Sequence, residues 1–160
     1  MWNHGDVQEY DGFEPTWALQ EQVTADLSTI AAYGERHANH FGGCWLHDRN
    51  LYGVSFTDSI DEHTAALQAL VGLPERLRTT RCSHSLAALR DTVKSIVRAE
   101  MRQGPDGTLV VTGVVGVAKR VQDNVVEVYV RPGHPEVEAH VRATYGSIVA
   151  VVPDVVAQTF

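Results

Sequence analysis

The sequence predicts an α+β fold: two layers, built from two copies of one α-β-β-α-β unit. Three observations lead there. Asn50-Leu51-Tyr52-Gly53-Val54-Ser55-Phe56 aligns with Asn124-Val125-Val126-Glu127-Val128-Tyr129-Val130 at an offset of 74 residues (124 minus 50). The alignment continues without a gap to Gly72 and Gly146, through Glu62/Glu136, Ala65/Ala139 and Ala69/Ala143. In each copy a turn leads into a strand pattern, an amphipathic helix pattern, a glycine and another strand pattern. The predicted division is an N-terminal arm at 1–15, a first lobe at 16–84, a second lobe at 85–153 and a tail at 154–160, with mainly antiparallel sheets.

The first helix is predicted from Thr16, a capping residue, to about His37, with Trp17, Leu19, Val23, Leu27, Ile30 and Ala31 as its apolar stripe. Gly42-Gly43 breaks the chain. A hairpin follows, with strands near Cys44–His47 and Leu51–Thr57 and Asp48-Arg49-Asn50 as its turn. Alternation puts Tyr52, Val54 and Phe56 on the core face. Ser59-Ile60-Asp61-Glu62 reads as a capping box for a helix that turns His63, Leu67, Leu70 and Val71 inward and stops at Gly72. A strand at about Arg76–Cys82 closes the unit.

The second unit starts with Ser85–Arg102, whose Leu86, Leu89, Val93, Ile96, Val97 and Met101 repeat at helical intervals. Gly104-Pro105-Asp106-Gly107 is a loop, and Thr108–Ala118 a long strand that Gly113 and Gly116 bend or bulge. Gln122-Asp123-Asn124 turns into Val125–Val130. Pro135 opens the next helix, Gly146 ends it, and Ile148–Val152 is the last strand. In both lobes, two helices over one face of a three-stranded sheet make two layers.

Composition narrows the function classes. The chain has 160 residues, 44% of them hydrophobic and 21% charged, which is enough to hide roughly 70% of the unfolded surface without a metal or disulfide framework. The net charge of −7 opposes binding to nucleic-acid phosphates. Gly113-x-x-Gly116 has the spacing of a backbone-clamping loop but falls within a strand pattern. No apolar run approaches the roughly 20 residues that span a bilayer. Met1-Trp2-Asn3-His4-Gly5-Asp6 lacks the basic and apolar regions of a signal peptide. That predicts a cytoplasmic protein, or a secreted one whose leader has been removed. Cys44 and Cys82 are then thiols in a reducing compartment or one bridge outside it.

Gly113-Val114-Val115-Gly116-Val117, the Gln122-Asp123-Asn124 turn, the strand Val125–Val130 and the helix ending Tyr145-Gly146 resemble the pro-regions of streptogrisin and α-lytic-type serine proteases. Phe41-Gly42-Gly43-Cys44-Trp45-Leu46, leading into Leu51–Phe56, resembles the hairpin that opens such regions. The resemblance covers residues 16–152. It implies a duplicated α/β module that clamps a protease, assists its folding and inhibits it with a C-terminal tail. The chain has no Gly-Asp-Ser-Gly-Gly segment, so a binding surface is what the resemblance transfers. It implies a protein partner, a serine protease in the first instance. Val155, Val156, Ala157, Gln158, Thr159 and Phe160 are the segment that would add to it as an extended strand.

No complete catalytic motif is present, and the predicted role is a non-enzymatic protein-interaction module. Two alternatives belong to other classes. Cys44-x-x-His47 with Cys82-x-His84 supplies four ligands of the kind that zinc takes in tetrahedral geometry, which predicts a small zinc protein or metal-dependent enzyme if the first and third strands of the lobe are neighbours. A small-molecule pocket between the lobes is the third expectation. Asp58, Asp61, Glu62 and His63 imitate an acid–base cluster, but helix-start charges favoured by the dipole account for Asp61 and Glu62. Ser83-His84-Ser85 lacks the strand–elbow–helix setting of a nucleophile and reads as a helix cap.

Overall fold

A computed structural model describes residues 17–47, 51–103, 105–106, 109–111 and 113–153. The expected arm, the Asp48-Arg49-Asn50 turn and the C-terminal tail lie outside these residues.

In the first lobe, α1 (Trp17–Arg36) is followed by β1 (Phe41–His47), β2 (Leu51–Phe56), α2 (Ile60–Gln68) and β3 (Leu77–Arg81). The second lobe opens with α3 (Leu86–Glu100), adds a small hairpin of β4 (Met101–Gln103) and β5 (Leu109–Val111), and continues with β6 (Val114–Arg120), β7 (Val125–Val130), α4 (Pro135–Tyr145) and β8 (Val149–Pro153). The sheets run β1-β2-β3 and β6-β7-β8. In each, the hairpin pair is antiparallel and the last strand lies parallel to the central one. The sheets are therefore mixed, where the sequence led us to expect mainly antiparallel pairing. The helix between the last two strands carries the chain back to its starting end, so the returning strand must run parallel. The duplication extends to irregularities: a register shift follows Phe41 in β1 and Val114 in β6.

Each lobe has a core, and the first also takes in Leu86 of α3 and Val121 from the second. Tyr52, Val54 and Phe56 are fully buried with Ile30 of α1 and Leu67 of α2. Val126, Val128 and Val130, at the 74-residue offset, are fully buried with Leu89 and Ile96 of α3 and Val141 of α4. The stripe on α1 is rotated from the expected one: Trp17 is exposed, and Asp26 and Tyr33 turn inward with Val23 and Ile30. Asp26, 2% exposed, accepts hydrogen bonds from the Gly72 and Leu73 amides (2.8 and 3.0 Å), from Gln22 Nε2 (2.8 Å) and from the Tyr52 hydroxyl (2.9 Å). It fastens the end of the α2 segment to α1.

Three local expectations change. Ser59 does not cap α2 with its side chain; it adopts a left-handed backbone, φ 47°, because the chain leaving β2 must reverse sharply to enter the helix. Leu70 is 50% exposed rather than inward, since α2 ends at Gln68. The described part of the valine-rich stretch falls into two strands, Leu109–Val111 and Val114–Arg120. Gly113, at φ 110°, separates β5 from β6, and Met101 leaves the helix to begin β4.

Between the lobes, Asn124 in the β6–β7 turn accepts from the amides of Ser83 (3.0 Å) and His84 (2.8 Å) and donates to the His84 carbonyl (2.7 Å). Its φ of 55° suits asparagine, which tolerates the left-handed region. The Ala87 amide donates to the Ala38 carbonyl at 3.2 Å, and Arg90 donates to Glu35 at 2.8 Å. None of the described helices is long and apolar enough to cross a membrane.

Candidate metal centre

Backbone turns at one end of the first sheet assemble the chemically richest cluster. After α1, the His37 carbonyl accepts from the amides of His40 and Phe41, at 2.9 Å each. This tight turn sets His37 and His40 where the chain enters β1. The Thr57 amide, just beyond β2, returns to the His40 carbonyl at 2.8 Å. Asp58 therefore stands beside His40. Ser59 reverses the chain, and the first turn of α2 presents His63 to the same spot.

The Nδ1 atom of His40 lies 2.6 Å from Asp58 Oδ1. The Tyr33 hydroxyl lies 2.7 Å from His63 Nδ1. The His63 ring stacks on Phe56, with centroids 4.4 Å apart and planes 9° apart. Around it stand the rings of His37, at 5.2 Å, and His40, at 5.9 Å. One ligand atom from each of His40, Asp58 and His63 lies within 4.8 Å of the others. His63 is buried, and the side chains of His40 and Asp58 are half-exposed. The cluster thus has a fixed floor and an accessible mouth.

Burial pushes the His63 imidazole below its ordinary pKa, and the nearby His37 and His40 add to the shift, against the opposing pull of Asp58 and Glu62. A neutral imidazole is the form that ligates metals. With Nδ1 of His63 facing Tyr33, Nε2 is its remaining ring donor. The tyrosine hydroxyl both donates and accepts, so it serves either tautomer. Such a partner on the far nitrogen is the usual outer support of a ligating histidine. Two ligands on one zinc ion sit about 3.3 Å apart, given Zn–N and Zn–O distances near 2.0–2.1 Å. The span of up to 4.8 Å exceeds that spacing, and the half-exposed side chains of His40 and Asp58 are the two with room to move. Two imidazoles and a carboxylate suit a borderline divalent ion of the zinc class.

The second lobe provides an internal control. There the Arg131 amide donates to the Gly113 carbonyl at 2.9 Å, so Gly113 corresponds to His40. The 74-residue offset then pairs Asp58 with Pro132, Ser59 with Gly133 and His63 with Val137. A Cβ built on Gly113 would come within 2.8 Å of Val137, so the same positions converge in both lobes. The fold is built in the second lobe without a titratable group at any of the three. The fold therefore does not require His40, Asp58 and His63 in the first.

The quartet expected from sequence is not gathered. Cys44 pairs with Val54 and shares its helix-covered face, whereas His47 pairs with Leu51 on the other face. Cys82 Sγ lies on that other face, against Ser55 and the Gly42 backbone, and contacts the His84 carbonyl at 3.4 Å. The sheet itself separates the two cysteines. Burial raises both thiol pKa values, for Cys82 against the opposing contacts of Ser55 and the His84 carbonyl. Asp61 and Glu62 lie in the first turn of α2. A groove of about 440 Å³ runs along α1, lined by Trp17, Gln20, Glu21, Thr24, Ala25 and Ser28.

No protein-family profile matches the chain, and no curated protein matches it significantly.

Proposed function

We propose that this protein is a divalent transition-metal-binding module of the zinc class, with His40, Asp58 and His63 as ligands carried by the first of two duplicated lobes. One observation carries the reading. Three ligand atoms lie within 4.8 Å of one another at positions where the twin lobe has Gly113, Pro132 and Val137. The burial that lowers the His63 pKa and the Tyr33 hydroxyl beside its Nδ1 support it. The test is equilibrium dialysis against Zn²⁺ with thermal unfolding. One zinc per chain with a rise in Tm is expected, and both are lost in His40→Ala, whose side chain is half-exposed and whose removal leaves the core intact. Substoichiometric zinc in the unaltered protein, or full binding in His40→Ala, contradicts the proposal.

A second reading, protein binding of the pro-region kind, is favoured by the sheet edges. Of the two main sheets only β2 and β7 are interior, so β3 and β8 each have one side that pairs with no other strand of its sheet. The β8 strand leads directly into Val155–Phe160. A partner strand added to either edge would use main-chain hydrogen bonds. Unchanged activity of extracellular serine proteases, and no capture of them by the immobilised protein, would count against this reading.

A further inference from the structure

We propose that the metal keeps one coordination position open to solvent and takes a small oxyanion there, a carboxylate or phosphate group, with Arg81 as the anion's second point of attachment. This rests on the metal-site reading above and names the ligand class of that site. Three protein ligands leave a tetrahedral ion one position for water or substrate. Here that position has a way out. His63 is buried and forms the floor, while the side chains of His40 and Asp58 are 47% and 51% exposed.

The sheet register brings Arg81 to this mouth. Arg81 pairs with Phe56 across β3 and β2, and residues directly opposite on neighbouring strands share a face. The Phe56 ring is the one that stacks on His63. Arg81 Nη1 donates to the Thr57 carbonyl at 2.8 Å. Thr57 is the residue before Asp58, and its amide donates to the His40 carbonyl. The guanidinium is thus tied to the backbone that carries two of the three ligands. Of its five N–H donors, the Thr57 carbonyl takes one. The planar fork matches the paired oxygens of a carboxylate or phosphate.

Charge favours the same class. A divalent ion with one carboxylate ligand keeps a net positive charge, and Arg81 adds to it. Asp61 and Glu62 are the opposing groups, and they lie in the first turn of α2, where the helix dipole favours acids. The twin lobe again separates site from scaffold. Where the first lobe pairs Phe56 with Arg81, the second pairs Val130 with Pro153. The lobe without the ligands is also without the arginine.

The probes are inorganic phosphate and acetate, titrated calorimetrically into protein loaded with one Zn²⁺ and freed of excess metal. Saturable binding of one anion per chain is expected with zinc and none without it, and the tighter of the two anions is the group the site takes. Arg81→Ala should bind zinc as tightly as the unaltered protein and that anion at least about tenfold more weakly, as loss of a charge-assisted hydrogen bond implies. Arg81→Lys keeps the charge without the fork and should fall between the two. Binding of neither anion, equal binding without zinc, or unchanged binding in Arg81→Ala overturns the inference and leaves the three-ligand site standing. Weakened zinc binding in Arg81→Ala and Arg81→Lys also overturns it, because the arginine would then be part of the scaffold. Failure of the unaltered protein to bind zinc overturns the site itself and this assignment with it.

Discussion

His40 and Gly113 stand at the same point of two matching lobes. Each offers its carbonyl to the first amide beyond the central strand, Thr57 at 2.8 Å and Arg131 at 2.9 Å. One position is occupied by imidazole and the other by no side chain at all. Such an asymmetry separates what the scaffold needs from what the site needs. Without metal, His40→Ala and Asp58→Ala should change stability by no more than about 0.5–1 kcal/mol, the range of surface substitutions. Both should abolish zinc-induced stabilisation. Urea denaturation with and without Zn²⁺ checks this, and a loss of several kcal/mol without metal would mean that the scaffold depends on them.

Ser59 and Gly133 are related by the 74-residue offset, and both have positive φ, 47° and 84°. A non-glycine residue in the left-handed region costs about 1–2 kcal/mol. Glycine recovers most of that and gives back part through the entropy of the unfolded chain. Ser59→Gly should therefore stabilise the protein by about 0.5–1 kcal/mol, raising Tm by a few degrees. A lower Tm would show that the serine side chain makes a contribution its backbone strain conceals.

Asp26 predicts how the first lobe fails in acid. Burial alone would raise its pKa, but the hydrogen bonds from Gly72, Gln22, Tyr52 and Leu73 outweigh burial and hold it below the ordinary carboxylate value. A depressed folded pKa means stability that is complete above the unfolded value, about 3.9. That stability drains away as pH falls through the lower folded value. Asp26→Ala should cost at least about 3 kcal/mol at pH 7, because the Gly72 and Leu73 amides and the Tyr52 hydroxyl lose their acceptor. It should also flatten the acid limb of the pH–stability curve. An acid limb as steep as that of the unaltered protein would remove Asp26 from the account.

Asn124 should set the cooperativity between lobes. Asn124→Gly keeps the left-handed turn and deletes three hydrogen bonds to Ser83 and His84. The expected loss is about 1–2 kcal/mol, with calorimetric unfolding broadened towards two transitions. A single sharp transition at the original Tm would show that Glu35–Arg90 and the backbone contact of Ala38 with Ala87 hold the lobes together unaided.

The sequence made the architecture legible because burial acts at short range. Alternation placed Tyr52, Val54 and Phe56 inward, and the 74-residue offset carried the same reading to Val126, Val128 and Val130. Turn geometry was harder to read: the Ser59-to-Glu62 spacing matches a capping box, and only the backbone reveals that Ser59 is left-handed. The candidate site was the least legible part. His40, Asp58 and His63 are spread over 24 positions (40 to 63 inclusive) and meet because the hairpin register pairs Phe41 with Phe56 and left-handed Ser59 turns the chain into α2. Extending that register outward by one residue sets His40 beside Thr57 and Asp58, so the signal lay in the register and not in any local motif. The Cys44/His47/Cys82/His84 reading needed the first and third strands of the lobe as neighbours, whereas β2 lies between them and Cys44 and His47 take opposite faces of β1.

The most direct measurement is a zinc titration followed residue by residue in ¹H–¹⁵N correlation spectra. The account predicts saturable shifts centred on His40, Asp58 and His63, with the amides around Gly113, Pro132 and Val137 unmoved. Shifts centred on Cys44, His47, Cys82 and His84, or no saturable shift anywhere, would contradict it.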